Sequence, residues 1–246
     1  MSTSPTETNT SIGSKPLYAQ VREELLQRIS SGAWRPGQLI PNEFELAREM
    51  GVSQGTARKA LDSLATDGLL VRRQGRGTFV IEHTPSEMLF RFFNLFERDG
   101  TAIEPNSRDV RVQLTKANAT ERKKLQLTVN ANVIRITRVR TRADRPLIVE
   151  SLVLPASRFA GLEQQTSIPN TLYDHFQKHH GITVARGDER ITAVLAGPRE
   201  AKALGVPAGQ PLLKLDRLMY DLDNNIIEWR VSLCHLEQAF YGVTLR

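Results

Sequence analysis

PNEFELAREMGVSQGTARKALDSLATDG, residues 41–68, decides the fold of the N-terminal part of this chain. Asn42 is a good helix N-cap, and Glu45 three residues on can close a capping box with it. Phe44, Ala47 and Met50, with Leu46 beside them, supply an apolar face to the helix that follows, and Gly51 ends it. Ser53 caps a second helix almost at once. Its buried stripe is Ala57, Ala60, Leu61 and Leu64, and Gly68 is its stop signal. Two short helices joined by Gly51-Val52-Ser53 form a helix-turn-helix.

Upstream, Leu17, Val21, Leu25 and Ile29 recur every four residues and predict a helix over 17–31, followed by a turn at Arg35-Pro36-Gly37. Downstream, residues 69–73 and 77–81 are β-prone runs joined by Gln74-Gly75-Arg76, where glycine at the tip suits a tight hairpin. That hairpin is the wing of a winged helix-turn-helix. Residues 83–86 break the pattern. The expected organisation is a disordered leader over 1–14, a DNA-binding domain over 15–83, a linker over 84–88 and a second domain over 89–246.

Composition excludes several alternatives. The 246 residues suffice for two ordinary domains, and 40% hydrophobic with 24% charged residues is neither disordered nor membrane-embedded in character. No apolar run approaches the roughly 18 residues of a membrane-spanning helix. A single cysteine, Cys234, leaves no internal disulfide and fits a reducing cytoplasm. The net charge of +6 permits an anionic partner, yet residues 15–82 hold ten basic and eight acidic residues. The basic excess is therefore not concentrated on the helix-turn-helix, and DNA binding must rest on its motifs.

In a helix-turn-helix, the first residues of the second helix enter the major groove. With Ala57, Ala60, Leu61 and Leu64 facing the core, Gln54 and Arg58 lie one turn apart on the opposite face. Arg58 can be bidentate to guanine and Gln54 to adenine. Ser53 and Thr56 are short hydroxyl donors at a helix N-terminus, suited to a backbone phosphate, and Gly55 permits close approach. Arg76 at the wing tip is a minor-groove or phosphate candidate, while Arg72 and Arg73 suit phosphate anchoring.

These residues carry a resemblance. Pro41-Asn42-Glu43, Leu46-Ala47, Gly51-Val52-Ser53, Thr56-Ala57-Arg58, Ala60-Leu61, Leu64, Gly68 and residues 73–80 together resemble the GntR family of bacterial regulators. The resemblance implies operator contacts from Ser53, Gln54, Thr56, Arg58, Gly75 and Arg76. The chain departs from the family pattern at Asn42, where serine is usual, and at Gln54, where arginine is usual. Asparagine still caps a helix, whereas glutamine alters base preference.

Beyond the linker the pattern turns to α+β. Strands are expected at 107–114, 133–142, 147–154, 182–195, 212–221 and 226–235, with short helices at 121–127, 156–162, 171–180 and 198–204. Turns at 143–146 and 223–225 join successive strands, so the sheet is expected to be largely antiparallel. Strand parity puts Arg138 and Arg140 on the face of Ile134 and Ile136, and Glu150 on the face of Ile148, Leu152 and Leu154. Charges among apolar neighbours are costly unless paired. Three readings follow: an Arg–Glu ion pair inside the sheet, a solvent-facing side, or an anion site in which the arginines grip a phosphate or carboxylate and Glu150 a hydroxyl or amine.

Arg138-Val139-Arg140, Asp144, Pro146-Leu147, Val149-Glu150-Ser151 and Leu154-Pro155 resemble the effector domain of the HutC subfamily, whose fold is similar to chorismate lyase. The resemblance implies a dimerising, effector-binding domain. It also implies that Arg138, Arg140, Thr171 and Tyr173 hold a phosphate while Glu150 and Glu228 hold a sugar. Cys234-His235 stands where Tyr-Arg is common, and Arg91-Phe92-Phe93-Asn94 makes a bulky border to the pocket, so urocanate-like acids and fatty acyl compounds stay open beside sugar phosphates. The function expected is a regulator, acting as a homodimer on a near-palindromic operator and released by a small anionic metabolite. Activation in place of repression, a lyase still performing chemistry and a DNA-binding protein with an inert dimerisation domain are the alternatives. No catalytic residue, cofactor or metal is expected. His175 and His179 have ligand spacing on a helix, but no cysteine or carboxylate cluster joins the pair.

Overall fold

A computed structural model describes residues 15–82, 92–165 and 167–243; the expected leader, the linker over 84–88 and Arg91 lie outside them. The chain divides into two compact units, Met1–Ile81 and Glu82–Arg246. In the first, α1 (Leu17–Ser30) buries Val21, Leu25 and Ile29. Helix α2 (Glu43–Met50) starts with the full capping box. Asn42 Oδ1 accepts from the Phe44 and Glu45 amides at 2.9 and 3.0 Å, and the Asn42 amide donates to Glu45 Oε2 at 2.8 Å. The buried face of α2 is Leu46 and Ala47, whereas Phe44, expected to face the core, is 67% exposed. Phe44 sits in the first turn at the margin of the Leu46–Ala47 stripe that α2 buries, about 110° from its middle at roughly 100° per residue.

Helix α3 (Gln54–Thr66) buries the four expected residues, and Ser53 Oγ accepts from the Thr56 amide at 3.2 Å. The hairpin pairs β1 (Leu70–Arg73) with β2 (Gly77–Val80). A third short segment joins it: the Val80 amide donates to Gln38 O, and the Ile40 amide to Thr78 O, each at 2.9 Å. Leu39 then presses on Gly77, whose φ is 107° and where an added Cβ would lie 2.6 Å from Leu39 Cδ1. Only glycine suits that position.

The second unit is a six-stranded, wholly antiparallel sheet in the order β4-β5-β6-β9-β8-β7. Its strands are β4 (Asn106–Lys116), β5 (Asn132–Arg142), β6 (Arg145–Pro155), β7 (Val184–Leu195), β8 (Pro211–Asp221) and β9 (Ile226–Cys234). Arg142 pairs with Arg145, so the β5–β6 turn is the two residues Ala143 and Asp144, both at positive φ, and Pro146 belongs to β6. The short strands β3 (Leu95–Glu97) and β10 (Ala239–Tyr241), not expected from the sequence, pair with each other.

Helix α4 (Ala119–Leu125) begins two residues before the expected 121, because Asn118 and Glu121 form a second capping box, and ends at Gln126 in the left-handed region. The helix expected over 156–162 is instead two 3-10 turns, Ala156–Arg158 and Leu162–Gln164, separated by Gly161 at φ 84°. Helix α5 (Leu172–His180) covers one face of the sheet, while α4 and α6 (Pro198–Leu204) cover the other. Under α5, Phe176 packs on Phe159 at 4.5 Å with Ile134, Ile136, Leu152 and Leu154. Full burial of side chains this large stabilises by about 1.5–3 kcal/mol each. A second apolar cluster on the same face holds Leu95, Ile103, Ile148, Leu215 and Cys234. Between the two clusters runs a belt of buried charge: Arg138, Arg140, Glu150, Arg217 and Glu228.

Candidate nucleic-acid interface and ligand cleft

The capping geometry of the first unit sets its candidate interface. Ser53, Gln54, Gly55, Thr56 and Arg58 occupy the cap and first turns of α3. The Ser53 and Thr56 hydroxyls are 2.9 Å apart at the helix N-terminus. Glu43, the first residue of α2, reaches across to α3: its Oε1 accepts from Gln54 Nε2 at 2.7 Å and from Arg58 Nη2 at 2.6 Å, and its Oε2 from Arg58 Nε at 2.8 Å. Hydrogen bonds from Arg58 and then Gln54 hold the Glu43 carboxyl at about 2, so it is ionised at neutral pH. On the hairpin, Arg72 pairs with Asp62 of α3 at 2.6 Å and Arg73 lies over the Phe79 ring at 4.9 Å. Gly75, at φ 69°, and Arg76 form the exposed tip.

In the second unit, register converts strand parity into rows across the sheet. Arg138 on β5 stands opposite Glu150 on β6, which stands opposite Ser232 on β9. One pleat along, Leu152, Arg230, Arg217 and Glu189 follow one another across β6, β9, β8 and β7. Arg138 Nε donates to Glu150. Arg230 is bidentate to Glu228 at 2.9 Å on both oxygens and comes within 3.5 Å of Glu150. Tyr173 on α5 donates to Glu228 at 3.0 Å, and Arg217 donates to Glu189 at 2.6 Å. Arg140 differs: its hydrogen bonds go to neutral oxygens of Ser107, Asn170 and Pro105.

These four arginines floor a cleft whose walls include Phe92, Phe93, Thr171 and Tyr173. Two buried donors there, Arg138 Nη1 and Arg140 Nε, have no hydrogen-bond partner. Burial, reinforced by the charges of Arg138 and Arg230, pushes the Arg140 guanidinium down to about 9, so it is charged at neutral pH at a cost. Burial would raise Glu150, but Arg138, Arg230 and Arg140 outweigh it and hold the carboxyl well below the usual range. Burial pushes the Tyr173 phenol up, which keeps it the donor to Glu228. The arrangement is short of negative charge and leaves two buried donors unpaired on arginines that line the cleft.

Residues 17–80 match the bacterial regulatory proteins of the gntR family, and residues 101–239 match the UTRA domain. The chain belongs to the GntR family. Within it, the chain is of the HutC type, a DNA-binding transcriptional regulator with a small-molecule effector domain, and not an enzyme. It is 31% identical over 83% of its length to the transcriptional repressor NagR of Bacillus subtilis, covering 84% of that protein. The histidine utilization repressor of Pseudomonas putida is 31% identical over 83% of this chain and 82% of its own. The ligand-binding domain of a GntR-family regulator from Bordetella bronchiseptica superposes with a TM-score of 0.60 at 31% identity, covering 63% of this chain and 98% of that one.

This GntR-family chain brings together most of the residues singled out from its sequence. Arg138, Arg140, Thr171 and Tyr173 all border the UTRA cleft. Glu150 and Glu228 do not; 2% and 0% exposed, they lie behind it with their oxygens turned to arginines. Of the readings left open by parity, the Arg138–Glu150 ion pair is present and the face is not solvent-exposed. Sequence reasoning misses Arg217 and Arg230. Parity holds the signal, since Leu215, Arg217 and Met219 share one face of β8 and Glu228, Arg230 and Ser232 one face of β9. Cys234 is buried in the apolar cluster beside the cleft, and burial pushes its thiol up. Among the described residues no group of acidic, histidine or cysteine side chains could hold a metal, and no helix is long and apolar enough to cross a membrane.

Proposed function

We propose that the chain is a cytoplasmic, homodimeric repressor that grips a near-palindromic operator and is released from it by a small organic anion bound in the UTRA cleft. Gln54 and Arg58 read bases in the major groove, Ser53, Thr56 and Arg72 hold phosphates, and the wing tip at Gly75 and Arg76 follows the backbone or minor groove. Gly55 lets the helix approach closely. Repression in preference to activation is supported by the names of its relatives.

The observation that carries the effector reading is the pair of buried donors without partners, Arg138 Nη1 and Arg140 Nε, on the floor of the cleft. An unmet guanidinium donor is expensive until an anion meets it. A second observation narrows the class. Among the described residues the cleft is lined by arginines, aromatic rings and neutral side chains but by no Asp or Glu. With Glu150 and Glu228 engaged behind it, a flat or apolar organic acid suits the lining better than a polyol phosphate.

A thermal-shift panel on the full chain tests this. Binding to the native state at about a hundred times Kd stabilises by about 2.7 kcal/mol. Flat carboxylic acids are expected to raise the midpoint and release operator, and Arg138→Ala to abolish both while leaving DNA binding intact. A shift with sugar phosphates alone would defeat the narrower class, and a panel of anions with no response would defeat the anion site.

A further inference from the structure

Glu43 puts a negative charge among side chains meant to meet a polyanion. Any carboxylate at such a surface weakens phosphate contacts. Nor does the pair with Arg58 do much for stability, because the Glu43 side chain is 22% and the Arg58 side chain 57% exposed, and ion pairs so exposed contribute little. Its position is nonetheless tightly set. The Asn42–Glu45 capping box fixes the first turn of α2, which places Glu43 opposite the first two turns of α3.

The hydrogen bonds are arranged so that base-reading groups stay free. A guanidinium carries five N–H donors. Glu43 takes Nε and one hydrogen of Nη2, the side edge of Arg58. The end edge, Nη1 with the second Nη2 hydrogen, is left to meet guanine O6 and N7. In Gln54, Glu43 takes one hydrogen of Nε2. The other hydrogen and Oε1 are the donor and acceptor that adenine N7 and N6 require. One carboxylate thus cross-links two readers and leaves each with a further donor, and Gln54 with its acceptor.

We infer that Glu43 is a positioning residue for operator specificity, holding Gln54 and Arg58 in their base-reading rotamers before DNA arrives. The inference rests on the reading of Gln54 and Arg58 as base contacts. Two long, mobile side chains are ordered in the free chain, so the entropy of fixing them is not lost on binding. The ionised state of Glu43 at every working pH fits a permanent brace.

The test uses the full-length chain and a duplex that it selects from a random pool, with an unrelated duplex of equal length beside it. Glu43→Gln removes the charge, whereas Glu43→Asp keeps it and withdraws the carboxylate by one methylene. Positioning predicts that both variants bind the selected duplex at least about ten-fold more weakly, the scale of one bidentate base contact. On the unrelated duplex Glu43→Asp should match the parent, and Glu43→Gln should match it or bind slightly tighter. Thermal midpoints should stay close to the parent's. If Glu43→Gln tightens both duplexes equally while Glu43→Asp behaves as the parent, Glu43 is a counter-charge and the inference fails. It fails equally if neither variant changes discrimination. Arg58→Ala and Gln54→Ala separate the two levels. Should they retain full discrimination, the base-reading assignment falls and Glu43 with it. Should they lose it while both Glu43 variants keep it, only the role of Glu43 falls.

Discussion

Arg140→Met removes a guanidinium that is 2% exposed and hydrogen-bonded to neutral oxygens, and leaves an apolar side chain of similar length. Holding that guanidinium at about 9 in place of the ordinary 12.5 amounts to about 5 kcal/mol against its charged form. Its four bonds to Ser107, Asn170 and Pro105 oppose this, at about 1 kcal/mol each. Their loss strands nothing, because Ser107 still donates to Asn170 at 2.8 Å and Asn170 to Pro105 at 2.6 Å. The net expectation is that the free variant is more stable by about 1 kcal/mol, a rise of roughly 2–4 °C in midpoint for a chain of this size. Scanning calorimetry of the full chain measures it, and the same variant should show no midpoint shift with the anion that shifts the parent. The sign of the pH effect gives a second readout. A base whose folded pKa is depressed withholds stability at neutral pH and returns it as pH rises from about 9 toward 12.5, so the parent should show that gain and Arg140→Met should not. An unfolding midpoint lowered by the equivalent of about 2 kcal/mol, with the anion response intact, would make Arg140 a structural residue and refute the reasoning.

Arg230→Met leaves the Glu228 carboxylate, 0% exposed, with Tyr173 and without its bidentate partner. Urea unfolding should show a loss of about 3–5 kcal/mol, largely recovered when Glu228→Gln is added, since no bare charge then stays buried. Arg138→Met acts on acid stability. Glu150, held low by its arginines, contributes stability above the ordinary 4.5 that is lost as pH falls. Removing Arg138 raises its folded pKa, so the variant should be weaker at neutral pH yet lose less between about pH 6 and about pH 3.5. An unchanged difference would separate Glu150 from Arg138.

What could be read directly from the sequence was local. Asn42 with Glu45, Ser53 with Ala57 and Leu61, and glycine at the hairpin tip each signal through near neighbours, and each is found where its spacing puts it. Parity on β5 and β6 was legible for the same reason, because a short turn, expected over 143–146 and found at 143–144, fixes which strand meets which. Arg217 and Arg230 carried an equal signal on β8 and β9. Their meeting with Arg138 depends on β9 lying against β6, a pairing across roughly eighty residues that no periodicity announces. The β3–β10 pair is of the same kind, three residues on each side and nearly the whole unit between them. The Glu43 brace was hidden for another reason, since its reach depends on how α2 crosses α3.

With its partners Arg230 and Glu189 included, the belt beneath the cleft counts four guanidiniums, Arg138, Arg140, Arg217 and Arg230, against three carboxylates, Glu150, Glu189 and Glu228. On the proposed reading of the cleft as an anion site, that imbalance makes it a discriminator of valence. A monoanion brings the ensemble to neutrality with no further adjustment. A dianion overshoots by one charge, in a setting where unbalanced charge is strongly disfavoured, and must take up a proton as it enters. Carboxylates and phosphate esters should therefore differ in the protons they carry in, a quantity that titration calorimetry reads directly from buffers of unlike ionisation enthalpy. The regulator's chemical taste would then be written less in shape than in arithmetic.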